Sequence, residues 1–114
     1  MPHLTIDYAA PLDDSHNMQA LCQTLFDALI THRAIAHPDA LKIRAQPHRA
    51  YVIGTDPQTF AHAQLRLLPG RDDATKAELT ALVLNVLNQA MPDVGSLTVE
   101  ACDMHAPSYA KRVL

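Results

Sequence analysis

Residues 60–73, FAHAQLRLLPGRDD, decide the fold. The first nine, FAHAQLRLL, read as a strand. Gly70-Arg71 then turns the chain, and Asp72 and Asp73 offer side-chain caps for a helix that begins there. Leu79, Leu82, Val83, Val86, Leu87 and Ala90 follow at helical spacing, the stripe of a helix with one buried face. Pro92 and Gly95 end it, after which Leu97, Val99 and Ala101 alternate as one face of another strand. A helical crossover between two strands makes them parallel and the connection right-handed.

The same order of signals stands upstream. Residues 3–8, HLTIDY, alternate with Leu4 and Ile6 on one face. After a turn around Pro11, the residues Asp13, Asp14 and Ser15 are candidate caps for a helix over about 15–33, whose stripe is Met18, Leu21, Cys22, Leu25 and Leu29. His37-Pro38-Asp39 breaks that helix, and Leu41, Ile43 and Ala45 then alternate with Lys42 and Arg44. The chain is therefore one β-α-β unit followed by another, with a repeat of about 58 residues carried by pattern more than by identity. The expected fold class is α+β, with duplicated β-α-β units forming one four-stranded mixed sheet and two helices on one face. A single domain over 1–114 is expected, with repeats over about 2–56 and 59–104 and a tail over 105–114. Two helices on one face leave the other face uncovered in a monomer, so an oligomer is expected on physical grounds.

Composition narrows the function classes. In 114 residues, nine Lys and Arg stand against twelve Asp and Glu, a net charge of −3. No basic excess exists for a nucleic acid to neutralise. Apolar residues make up 48% and aromatics only 4%, so the core is built from Leu, Val, Ile and Ala. No apolar run approaches the roughly 20 residues that span a bilayer, and the first fourteen residues carry acids but no Lys or Arg, unlike a secretory signal. A cytoplasmic protein without membrane contact is expected. Cys22 and Cys102 are far apart and read as small buried hydrophobes rather than as a disulfide or zinc pair.

Chemistry is suggested first at Met1-Pro2. A small second residue permits removal of the initiator Met, which leaves Pro2 as a free secondary amine. An ordinary α-amino group titrates at about 7.7–8.0; a nearby cation and an apolar pocket lower that value and leave a neutral amine able to accept a carbon-bound proton. Pro at position 2 is common and on its own carries no function. Gly70-Arg71 adds a guanidinium at the start of the second helix, where an anion meets both the Arg fork and helix amides. Lys42 and Arg44, two apart on one strand face, are the other cationic pair. Each of these is, in isolation, an ordinary solvated cation. Together they suit a small substrate with more than one carboxylate.

The segments MPHLTIDY, ALKIRA, AQLRLLPGRDDATKAEL and SYAK resemble the 5-carboxymethyl-2-hydroxymuconate isomerases of the tautomerase superfamily, and the second half also resembles 4-oxalocrotonate tautomerase. The resemblance covers nearly the whole chain. It implies a tautomerase-like fold assembled as a homotrimer, no cofactor, and Pro2 as the base that shuttles a proton. It further implies Arg71 as the turn arginine that binds substrate, with either Lys42 or Arg44 as the strand cation. The implied activity is a cofactor-independent delta-isomerisation or keto-enol tautomerisation of an unsaturated polycarboxylate, in homoprotocatechuate degradation. The second repeat starts Phe60-Ala61-His62 and has no equivalent proline, so one site per subunit follows. The loop from Gln46 to Gln58 is short for this family and shapes the pocket rim.

The seven His residues show neither an i, i+4 pair around an acid nor a neighbouring Cys cluster, so no metal site is expected. Tyr8, Tyr51 and Tyr109 are candidate hydroxyl donors that the sequence does not rank. The tail SYAKRVL, with Lys111 and Arg112, reads as solvated or as wrapping a neighbour. Two other functions remain open at this point: a different Pro-based activity such as phenylpyruvate tautomerisation or hydration of an unsaturated acid, and a non-catalytic trimeric interaction protein.

Overall fold

β1 (His3–Ala9) lies in the interior of a four-stranded sheet that brings the two halves of the chain together. The computed structural model describes residues 1–55 and 58–114; Asp56 and Pro57, within the short loop expected to shape the pocket rim, lie outside the described residues. After β1 come a 3-10 turn (Ala10–Asp14), α1 (Met18–Leu29), a 3-10 turn (Pro38–Ala40) and β2 (Lys42–His48). The second half runs β3 (Phe60–Leu67), α2 (Asp73–Ala90), β4 (Ser96–Asp103) and a 3-10 turn (Ala106–Ser108). The strand order is β2-β1-β3-β4. β1 runs parallel to β2, β3 runs parallel to β4, and β1 and β3 meet antiparallel, so the two units join back to back in one mixed sheet.

The sequence patterns account for the core. Leu4, Ile6 and Tyr8 of β1 and Ala61, Ala63, Leu65 and Leu67 of β3 point to the helical side and are buried. Leu21, Leu25 and Leu29 of α1 and Leu79, Val83, Val86 and Leu87 of α2 close over them. Ile43, Ala45, Leu97 and Val99 face the same way but are only partly buried, because β2 and β4 are the edge strands. Truncating a central leucine such as Leu25, which is wholly buried, costs about 2–5 kcal/mol by lost transfer energy and cavity formation.

Four expectations change, the first being Ala90, read into the buried stripe of the second helix but exposed. The first helix begins at Met18, and Asn17 caps it by accepting from the Ala20 N–H at 2.9 Å; Asp13 and Asp14 lie in the preceding 3-10 turn, where Pro11 sets the backbone. The helix also ends at Leu29 rather than near 33. Cys22 and Cys102 are half-buried instead of buried. By contrast the second helix starts as expected, with Asp72 accepting from the Thr75 N–H at 2.8 Å.

The sheet face away from the helices is polar. The register places Lys42, His3, Arg66 and Cys102 in one row across β2, β1, β3 and β4, then Arg44, Thr5, Gln64 and Glu100, then Gln46, Asp7, His62 and Thr98. Hydrogen bonds cross it, from His48 to Asp7 at 2.8 Å and from Gln64 to Glu100 at 3.0 Å. The free face is therefore polar, with some of its groups paired across strands, and not a bare apolar surface.

Candidate active site

The N-terminal residues are held by the sheet itself. Pro2 is buried, and its carbonyl accepts from the Lys42 N–H at 3.1 Å, which extends the β1–β2 ladder one residue before β1 proper. The Lys42 ammonium turns back over the strand end, donating to the Ala40 carbonyl at 3.1 Å and lying 3.7 Å from Met1 Sδ. Pro2 and Lys42 are thus fixed side by side by parallel pairing.

Arg71 reaches the same end from the turn before α2. Gly70 has φ of 130°, a backbone region open to glycine and strained for other residues, and this turn swings Arg71 back beneath the end of β3. Its guanidinium donates to the Ala34 carbonyl from Nη2 at 2.8 Å and from Nε at 3.3 Å, and from Nη1 to the Leu68 carbonyl at 3.2 Å. Of the five guanidinium N–H groups, these bonds engage three, which leaves two for a ligand. Arg71 is therefore a structural clasp between the α1–β2 connection and the end of β3, as well as a half-buried cation.

A cavity of about 610 Å³ opens at this end, with Met1, Lys42, Leu68, Lys111 and Val113 among its walls. Burial, followed by the charges of Arg71, Lys111 and Lys42, pushes the N-terminal amine below its usual pKa. An amine among three cations favours its neutral form, and the same cations favour a bound carboxylate.

Arg44 lies elsewhere. On the polar sheet face its Nη1 is 3.1 Å from His3 Nδ1, and both line a separate cavity of about 390 Å³ with Arg66 and Tyr109. Burial and the charges of Arg44, Lys42, the N-terminus and Arg66 lower the His3 pKa. The structure thus sets Lys42 in the wall of the N-terminal cavity, pairs Pro2 with it through the backbone, brings the Arg71 charge to bear on the terminal amine from outside that wall, and leaves Arg44 on the sheet. It also brings in Lys111, which sequence reasoning left to the tail; only the return of residues 104–113 across the sheet end, begun by the Met104 N–H donating to the Leu67 carbonyl at 2.7 Å, puts it there. Of the tyrosines, Tyr8 is buried and donates to Asp13 at 2.5 Å, and Tyr51 packs edge-on against Phe60 with centroids 5.4 Å apart. Neither lines the N-terminal cavity.

Among the described residues, no helix is long and apolar enough to cross a membrane. No curated protein sequence matches the chain. A crystal structure of a 5-carboxymethyl-2-hydroxymuconate delta-isomerase is similar with a TM-score of 0.84 and 24% identity, over 99% of this chain and 88% of that one. A 5-carboxymethyl-2-hydroxymuconate isomerase from Deinococcus radiodurans R1 is similar with a TM-score of 0.85 and 23% identity, over 97% and 88%. A fused 4-OT wild-type symmetric trimer is similar with a TM-score of 0.68 and 18% identity, over 90% and 85%. These likenesses establish the fold. The model of the 5-carboxymethyl-2-hydroxymuconate isomerase family matches residues 2–102. On that match the chain belongs to the 5-carboxymethyl-2-hydroxymuconate isomerase family and is an isomerase with the tautomerase fold.

Proposed function

We propose that this isomerase moves a proton between carbons of an unsaturated polycarboxylate, as a 5-carboxymethyl-2-hydroxymuconate delta-isomerase does, with the Pro2 amine as its base. The observation that carries this reading is the N-terminus itself: Met1 lines a cavity with Lys42 and Lys111, and the charge of Arg71 also reaches its amine. Removal of Met1 converts the Pro2 nitrogen from an amide into a secondary amine and vacates the wall that Met1 occupies. The cations that now depress the Met1 amine then act on an amine one residue further in.

In the forward step the neutral Pro2 nitrogen takes a proton from a carbon next to the substrate carbonyl. The C–H electron pair passes into the conjugated system as a dienolate. The prolinium then returns the proton to a different carbon, and the double bond has moved with no net gain or loss of electrons. Arg71 and Lys42 hold carboxylates and offset the developing charge. Lys42, whose ammonium meets Met1, takes the strand-cation role rather than Arg44, whose guanidinium meets His3.

The working unit in this reading is a homotrimer. Fused 4-OT relatives are trimers, and this chain has two edge strands and a polar sheet face free of helices. Sedimentation should give three times the chain mass, with melting that rises with protein concentration; a stable monomer at all concentrations contradicts the assembly.

Intact mass tests the base. The purified protein should lack Met1, and an electrophilic acetylenic keto acid should add one equivalent that peptide mapping locates on Pro2. Retained Met1 in a fully active sample, or an adduct elsewhere with full loss of activity, removes Pro2 from the mechanism.

A further inference from the structure

Lys111 sits in a segment whose composition suggests a solvated tail, yet its side chain lines the N-terminal cavity. Of the other cations near the N-terminus, Lys42 in the same wall commits one donor to the Ala40 carbonyl, and Arg71, outside that wall, commits three to the carbonyls of Ala34 and Leu68. Among the described residues Lys111 makes neither a hydrogen bond nor an ion pair, although Asp39 lines the same cavity. Leu68 and Val113 add apolar surface to a wall that also holds His37 and Asp39. A cavity with two lysines and apolar side chains suits a carbon chain that carries more than one carboxylate.

We propose that Lys111 is a substrate-binding residue of this cavity that pairs with the carboxylate remote from the reacting carbons. This rests on the proposed function above for the location of the substrate. The free ammonium carries three donors and is a point charge on a flexible stem, suited to a carboxylate whose position varies between substrates. Arg71, held in place by two backbone carbonyls, takes the acid group conjugated with the reacting carbons. The C-terminal tail is then part of the binding site, and Val113 carries the apolar wall over the substrate chain.

The test uses binding of unreactive acids, which keeps it separate from catalysis. Calorimetry with adipate and with hexanoate compares the full-length protein and its Lys111→Gln variant, whose exposed side chain removes no core contact. Adipate should bind Lys111→Gln roughly 10- to 100-fold more weakly than wild type, the usual range for a lost charge-assisted hydrogen bond. Hexanoate should bind both within about twofold, and Lys111→Arg should recover most of the adipate affinity. In turnover the same loss should appear in KM for a dicarboxylate enol, with kcat held. Equal adipate affinity in wild type and Lys111→Gln, or an equal loss for adipate and hexanoate, overturns the assignment. If Pro2→Ala keeps full turnover while Lys111→Gln loses adipate, the base is wrong and the binding residue stands.

Discussion

The Ala34 carbonyl accepts two hydrogen bonds from the Arg71 guanidinium, at 2.8 Å from Nη2 and 3.3 Å from Nε. One side chain thereby ties the connection after α1 to the start of α2 and sets a cation near the N-terminus. An ammonium cannot reproduce that planar fork. Arg71→Lys should therefore lose stability on the order of 1–3 kcal/mol and should also lower kcat, because the dienolate charge is held less well. Denaturant unfolding and steady-state kinetics on the same sample check both. Wild-type stability together with wild-type kcat/KM on every acid substrate would remove both roles.

Gly70 makes the clasp possible. Its φ of 130° is strained for a residue with a side chain, while a Cβ added there would meet no atom within 4 Å, so the penalty is one of backbone strain rather than of crowding. Gly70→Ala should cost on the order of 1–3 kcal/mol in stability and displace Arg71, with KM rising as the guanidinium moves. Thermal melting and kinetics read it; an unchanged melting temperature contradicts the strain.

Tyr8 supplies an alkaline signature. Burial, then its hydrogen bond to Asp13 and that carboxylate's charge, push its pKa from 10.0 up to about 12. The folded state therefore holds the phenolic proton more tightly than the unfolded chain. That stabilisation is complete below about pH 10 and is lost as pH rises towards about 12. Tyr8→Phe should cost about 0.5–1.5 kcal/mol at neutral pH and flatten the fall in stability between those values, measured by urea unfolding across the range. An identical alkaline slope in both proteins contradicts it.

Much of this was legible in the sequence because periodicity reports burial directly. Leu4 and Ile6, the stripe of Leu79, Val83, Val86 and Leu87, and the Asp72 cap all encode local geometry, and the fold follows from repeating them. The start of α1 was not legible, since Asp13, Asp14 and Asn17 are all competent caps and only the 3-10 turn after Pro11 selects Asn17. The polarity of the free sheet face was present in the alternation of His3, Thr5 and Asp7 with the apolar residues, but the pairing that satisfies it depends on the register with β2 and β3. The different surroundings of Lys42 and Arg44 needed three dimensions, because both share a strand face and differ in whether they meet Met1 or His3. Lys111 was out of reach for the same reason: nothing local marks a tail residue that returns to the other terminus.

In the proposed mechanism the N-terminal proline is a base kept neutral by its surroundings. Burial and the charges of Arg71, Lys111 and Lys42 all lower the pKa of the Met1 amine, one residue from Pro2. The most direct measurement is a nitrogen NMR titration of protein labelled with ¹⁵N-proline and free of Met1. The expected result is a Pro2 pKa below the ordinary α-amino range of about 7.7–8.0, coinciding with the pH at which kcat/KM reaches half its maximum as pH rises, since the neutral amine is the active form. A Pro2 pKa at or above that range, or a pH profile that ignores it, contradicts a neutral proline base.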